Sequence, residues 1–219
     1  MKRRQFSAKV LGFGLSTGLA IGFAAWAGPA RAQGVPAEGK HYVRLGQPLA
    51  GTAGKVEVIE FFWYGCPHCY SFEPALDAWV KKLPPDVVFR RVHVAFREEP
   101  FGAHQRIYYA LEALGQLEAM HRKVFFAIHN ERQRLDKPAD IAAFMTKNGV
   151  DGAIFLDAYN SFGVQAKQRQ ARQLTEAYKV GEVPTLGIGG RYYTTGALAG
   201  SPERSLAVAD YLIVQSRKK

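Results

Sequence analysis

The run Val56-Glu57-Val58-Ile59-Glu60-Phe61-Phe62-Trp63-Tyr64 is rich in β-branched and aromatic residues and predicts a central strand buried on both faces. Gly65 ends it. Cys66-Pro67-His68-Cys69 follows, and Tyr70, Phe72, Leu76, Trp79, Val80 and Leu83 then fall at helical spacing as far as Pro84-Pro85. The cysteine pair therefore opens a helix. Val87 to Val94 reads as a second strand, which a right-handed crossover places parallel to the first. From about Phe101 to Lys179 the pattern turns helical, with helices expected near His104 to Leu114, Leu117 to Glu131, Pro138 to Lys147, Gly152 to Tyr159 and Gly163 to Tyr178. Strands at Thr185 to Ile188 and Arg191 to Thr195 flank Gly189-Gly190, a two-residue hairpin turn. A last helix spans about Pro202 to Gln215, with Ser201 as its N-cap. The order βαβ, helices, ββα predicts an α/β domain formed by residues 33–100 and 180–219 and interrupted by a helical subdomain at 101–179.

Composition changes this picture little. With 47% apolar and 22% charged residues the chain is near the globular average, which excludes wholesale disorder and collagen-like repeats. Two cysteines cannot make a stapling framework, so they do chemistry, bind something or pair with each other. The formal charge is +10, but Lys2, Arg3, Arg4, Lys9 and Arg31 lie in residues 1–32 with no acid among them, leaving +5 for the rest. No basic stripe or Arg/aromatic recognition pattern accompanies that excess, so a nucleic-acid partner is not expected.

The charge marks a targeting segment instead. A basic start, an apolar run from about Val10 to Ala27, and the small-x-small sequence Ala30-Arg31-Ala32 have the layout of a cleavable secretory signal over residues 1–32. Gly12, Gly14, Gly18 and Gly22 dilute the run below what a membrane anchor needs. Arg3-Arg4-Gln5-Phe6 also resembles a twin-arginine signal, although Lys2 and Ser7 depart from its usual pattern, and an ordinary basic n-region accounts for the same arginines; both export routes stay open. Either carries the chain to a compartment where disulfides persist.

A thiolate, not a thiol, attacks disulfides and leaves them, so a redox cysteine needs something to stabilise negative charge. Cys66 at a helix N-terminus would face unpaired amides and the positive end of the helix dipole. Pro67 suits the first turn because it needs no acceptor there, and His68 adds a donor or a positive charge. Cys69 would lie one turn deeper on the same face, within reach of a small disulfide ring. Stabilising the thiolate stabilises the reduced protein, which tunes the pair toward oxidising others. Zinc would need two further ligands, and His41, His93, His104, His121 and His129 show no paired ligand spacing.

Glu60 interrupts a run that otherwise reads as buried, and a buried carboxylate is costly unless used or paired. Two compatible readings follow: a carboxyl of raised pKa beneath the cysteines that moves the proton of Cys69, or a carboxylate paired with Arg91 or His93 on the neighbouring strand. Trp63, Tyr64 and Tyr70 flank the cysteines and are read first as core residues. Val183-Pro184 precedes the terminal hairpin, where proline cannot extend a central strand.

A strand ending at Cys-x-x-Cys on a helix start, a helical insertion and Val-Pro before ββα together resemble the thioredoxin superfamily. Cys66-Pro67-His68-Cys69-Tyr70 with Glu60-Phe61-Phe62 resembles its DsbA family, over about residues 38 to 217. The resemblance implies a thioredoxin fold with an inserted helical domain, Cys66 as exposed nucleophile, Cys69 as buried partner, and a cis-Pro184 whose loop, with Val183, packs against the disulfide and pairs with the substrate chain. It implies a periplasmic thiol:disulfide oxidoreductase, with no cofactor beyond the Cys66-Cys69 disulfide. That disulfide would pass to reduced or unfolded exported proteins and be restored by a DsbB-like membrane quinone reductase. The family's buried charged pair falls on Glu60 and Arg91, where lysine is more usual; an arginine cannot share its proton. The implied state is a monomer, because periplasmic isomerases carry an extra dimerisation domain for which this chain has little room. Competing readings are an isomerase or reductase using the same cysteines, and a soft-metal or peptide-binding protein of the same fold.

Overall fold

A computed structural model describes residues 34–51 and 54–218; the signal expected over 1–32 lies outside them. The elements, in chain order, are strands β1 (Val43–Arg44), β2 (Val56–Phe62), β3 (Val87–His93), β4 (Thr185–Ile188) and β5 (Tyr192–Thr195). The helices are α1 (Pro67–Val80), α2 (Phe101–Ala113), α3 (Leu117–His129), α4 (Pro138–Lys147), α5 (Gly152–Tyr159), α6 (Phe162–Ala177), α7 (Gly196–Ala199) and α8 (Pro202–Arg217). The sheet order is β1-β5-β4-β2-β3. β2 pairs parallel to β3 and antiparallel to β4, so β2 is central and β3 an edge.

Burial explains why β2 holds the centre. Val58, Ile59, Phe61 and Phe62 are all fully buried, and each such side chain contributes about 2 kcal/mol. That gain carries Glu60, between them, into the core. Val56 and Val58 pack with Phe72 and Leu76 of α1 and Leu212 and Ile213 of α8. Ile59 and Phe61 belong to a second core shared with Ile107, Leu111 and Phe125 of the helical insertion. The insertion thus packs directly on the sheet, and from Val35 onward the chain is one packed unit.

Most expected elements are present, and the differences have local causes. β2 stops at Phe62, not Tyr64, because the Tyr64 amide bonds the His93 imidazole and no neighbouring strand. α6 begins at Phe162, capped by Ser161 Oγ accepting from the Val164 amide at 3.2 Å. α2 reaches back to Phe101, whose ring stacks 3.9 Å from that of Trp63. β1 and α7 were not expected: two and four residues long, they are too short for periodicity to register. The Gly189-Gly190 turn forms with φ of 59° and 65°, closed by the Arg191 amide on the Ile188 carbonyl at 3.0 Å. Arg191 is left as an extra residue outside β5, which starts at Tyr192. Ser201 caps α8 as expected.

Candidate active site

Cys66 occupies the N-cap of α1 in extended conformation, and its sulfur accepts from the Cys69 amide at 3.3 Å. Both cysteines are free thiols. Cys66, expected to be exposed, is only 6% exposed because the Val183-Pro184 loop lies over its sulfur; Cys69 is fully buried as expected, while Pro67 and His68 stand in solvent. A hydrogen bond from the Cys69 side chain, then the backbone amides of Cys69 and His68 and the His68 charge, together outweigh burial and lower the Cys66 pKa to about 6. Burial, followed by the hydrogen bond to Cys66 and the charges of Cys66 and Glu60, pushes the Cys69 thiol well above its ordinary value. The pair is asymmetric: one thiol ionises readily and its neighbour holds its proton.

This predicts that thiolate absorbance of the reduced protein titrates with a midpoint near pH 6. Cys69→Ala, which removes the leading donor, should move that midpoint up by about one unit, the size of a single charge-assisted hydrogen bond. An unmoved midpoint would assign the stabilisation to the helix amides alone.

The peptide bond Val183-Pro184 is cis, and the Cys66 thiol points at the Val183 carbonyl at 3.5 Å. Residues 117 positions apart in sequence thereby meet at the sulfur, with Val183 and Pro184 half-buried beside it.

Glu60 is fully buried, and burial raises its pKa to about 8 against the opposing pull of Arg91. Strand register sets Arg91 directly across from it, and Arg91 Nε donates to Glu60 Oε2 at 2.9 Å. His93, the alternative partner, turns instead to the Tyr64 amide. Arg91 Nη2 also reaches Glu73 at 3.2 Å and Asp77 at 2.9 Å, and Asp77 pairs onward with Arg122 at the surface. Glu60 Oε1 has no hydrogen-bond partner, and the Glu60 charge acts on the Cys69 thiol. Glu73 and Asp77 were missed from sequence. The available signal was their place four and eight residues after Cys69, on the same helix face.

A groove of about 600 Å³ begins at Tyr70 and Ser71, just past the cysteines, with Phe125, Phe126 and Phe144 among its lining residues. It does not reach Cys66 itself. Among the described residues, no group of three or more His, Cys, Asp or Glu is arranged to hold a metal ion, and no helix is long and apolar enough to cross a membrane.

Comparison with known proteins agrees with this geometry. A family model described as a DSBA-like thioredoxin domain matches residues 101–205, a stretch that begins after the cysteine pair. The thiol:disulfide interchange protein DsbA of Burkholderia cepacia is 45% identical over 207 residues, covering 94% of this chain and 95% of that one. Its counterpart in Pseudomonas aeruginosa is 43% identical over 180 residues, 82% of this chain and 85% of that one. Among solved structures, Pseudomonas aeruginosa DsbA superimposes with a TM-score of 0.78 at 43% identity, over 82% of this chain and 93% of the other. The oxidoreductase NmDsbA1 from Neisseria meningitidis superimposes with 0.72 at 31% identity, over 83% and 94%.

Proposed function

This chain belongs to the DsbA family of thiol:disulfide interchange proteins, and on that premise we propose which of its residues carry the exchange and in which direction. The activity is that of a protein disulfide oxidoreductase on a thioredoxin fold with a helical insertion. Cys66 is the exchanging sulfur. A substrate thiolate attacks Cys66 Sγ of the oxidised pair; the Cys66–Cys69 bond breaks and Cys69 leaves with the electron pair. Burial disfavours a Cys69 thiolate, so it takes a proton, and Glu60, protonated at neutral pH by its raised pKa of about 8, supplies it. The second substrate thiolate then attacks the substrate-side sulfur of the mixed disulfide, and Cys66 departs as thiolate. Two electrons have passed from the substrate dithiol to Cys66 and Cys69. Val183 and Pro184 hold the substrate chain beside the sulfur, and Pro67 and His68 shape the turn that stabilises the thiolate.

The observation that carries the direction is the lowered pKa of Cys66. Each unit off the departing thiol favours the reduced protein by about 30 mV, so the pair gives its disulfide away. No cofactor beyond the Cys66–Cys69 disulfide is needed. On this reading residues 33–100 and 180–219 form the thioredoxin part and 101–179 the insertion, with 1–32 directing export. The protein works in the periplasm as a monomer on reduced or unfolded exported proteins, and a DsbB-like quinone reductase in the membrane restores it.

The direct test is equilibration with a glutathione redox buffer, read by trapping free thiols, beside oxidative refolding of a reduced test protein. A potential above that of glutathione, with refolding that needs Cys66, is the expected result. A potential at or below glutathione would make the protein a reductase instead.

A further inference from the structure

Four histidines, drawn from β3, α2 and α3, converge on the two residues that join β2 to the Cys66 turn. Tyr64 is fully buried, and each of its polar groups meets a different imidazole. Its amide donates to His93 Nε2 at 3.2 Å. Its hydroxyl lies 2.9 Å from His121 Nδ1. Its carbonyl accepts from His129 Nε2 at 2.8 Å. The neighbouring Trp63 indole donates to His104 Nδ1 at 3.0 Å, and His104 Nε2 gives its proton to the Arg134 carbonyl at 2.7 Å. That second bond fixes the tautomer that lets Nδ1 accept.

The segment so held touches both cysteines. The Trp63 carbonyl accepts from the Cys66 amide at 2.9 Å, which closes the turn placing Cys66 at the N-cap. On Cys69, whose burial raises its pKa, the Trp63 backbone amide acts in the lowering direction. The backbone of one residue, Trp63, therefore sets the position of one sulfur and the environment of the other. His129 adds a second link, its ring stacked on that of Tyr70 at 4.8 Å and 6°, immediately after Cys69. Gly65 completes the turn: a Cβ there would lie 2.2 Å from the Trp63 ring, so only glycine lets the indole fold back toward His104.

We propose that Tyr64 is a positioning residue for the Cys66 nucleophile, set by His121 and His129 of α3 and His93 of β3, so that the helical insertion helps fix the thiolate's stability through the Trp63-Tyr64 backbone. The inference rests on Cys66 being the exchanging thiol. The physical reason is preorganisation: helix amides stabilise a thiolate only while the sulfur is held over them, and a looser turn raises the pKa. Burial lowers the pKa of His93, His104 and His121, against the pull of Glu73 3.3 Å from His121, and so favours the neutral rings. Two of them act as acceptors, which a protonated ring cannot do.

The test compares the purified protein with His129→Leu, His121→Phe and His129→Gln. The readouts are the Cys66 thiolate titration and the glutathione equilibrium, with circular dichroism and thermal melting as the check on folding. His129→Leu and His121→Phe should raise the thiol pKa by about half a unit and shift the glutathione equilibrium about threefold toward a weaker oxidant, which is about 15 mV. His129→Gln keeps a donor near the Nε2 position and should stay close to the parent. Parent values of both readouts in His129→Leu and His121→Phe, whatever their melting temperatures, overturn the proposal and leave the histidines a purely structural role. If His129→Leu does not fold, His121→Phe, which keeps the ring volume, decides alone. A parent protein with no thiol ionising near pH 6 would instead sink the reading of Cys66 itself.

Discussion

Cys69→Ser makes the mixed disulfide long-lived: loaded at Cys66 with a small thiol as a mixed disulfide and then offered reduced unfolded protein, the variant accumulates Cys66-linked adducts that only a second substrate thiol or added thiol can resolve. The reason lies in the geometry of the pair. In the parent, Cys69 sits at the first turn of α1 with its amide 3.3 Å from Cys66 Sγ, so its return attack is intramolecular and far outpaces attack by a thiol in solution. Serine keeps the size and a hydrogen-bond donor but cannot form the bond. Cys66→Ser should form no adduct and refold nothing, since the remaining thiol is fully buried and holds its proton. Non-reducing gels and mass spectrometry separate the two variants. Adducts on Cys69 in Cys66→Ser, or none on Cys66 in Cys69→Ser, would reverse the roles assigned to the two sulfurs.

Arg91→Met should cost about 3 kcal/mol of stability near pH 7 and more near pH 9. The guanidinium bonds Glu60, Glu73 and Asp77 at once, and its side chain is 18% exposed. Removing it strands buried carboxylates, a loss of about 3 to 5 kcal/mol when fully buried, taken at the low end for this partly open cation. The pH dependence follows from Glu60. Its folded pKa, about 8, stands above the ordinary 4.5, so the folded protein keeps a proton that the unfolded chain has lost. Stability from this group falls as pH rises through that window. Without Arg91 the carboxyl is pushed higher still, so the variant keeps losing stability above pH 8 where the parent levels off, and the two diverge from about pH 8 upward. Urea unfolding at the two pH values measures the divergence; a pH-independent difference would mean that Arg91 acts by packing alone. Arg91→Lys tests the fork separately, because one ammonium is a point charge that cannot reproduce the three-way contact.

Much of this site is legible in the amino-acid sequence. The strand into Cys66, the proline at N1 and the cysteine one turn later are relations within a few residues, and local hydrogen bonding and side-chain periodicity encode them directly. The same holds for the succession of helices and for the diglycine turn, whose positive φ values only glycine adopts without strain. The fold class followed from that succession, and the site from a motif whose chemistry depends on a helix N-terminus. Glu60 was conspicuous because a charge inside an apolar run must be used or paired.

Its partner was not legible from the residues alone, which left Arg91 and His93 open; the family resemblance pointed to Arg91, and the parallel register of β2 and β3 sets Arg91 across from Glu60 while the turn after β2 offers His93 the Tyr64 amide. Glu73 and Asp77 joined only when α1 was laid over that strand pair. The convergence of His93, His104, His121 and His129 on Trp63 and Tyr64 had no sequence signature at all, since no spacing links them. The sequence by itself determined the elements and the reacting sulfurs, because those depend on neighbours along the chain. The tertiary structure alone decided which charges pair, which carboxyl keeps its proton and what braces the nucleophile, because burial and contact across the core are properties of packing between distant segments.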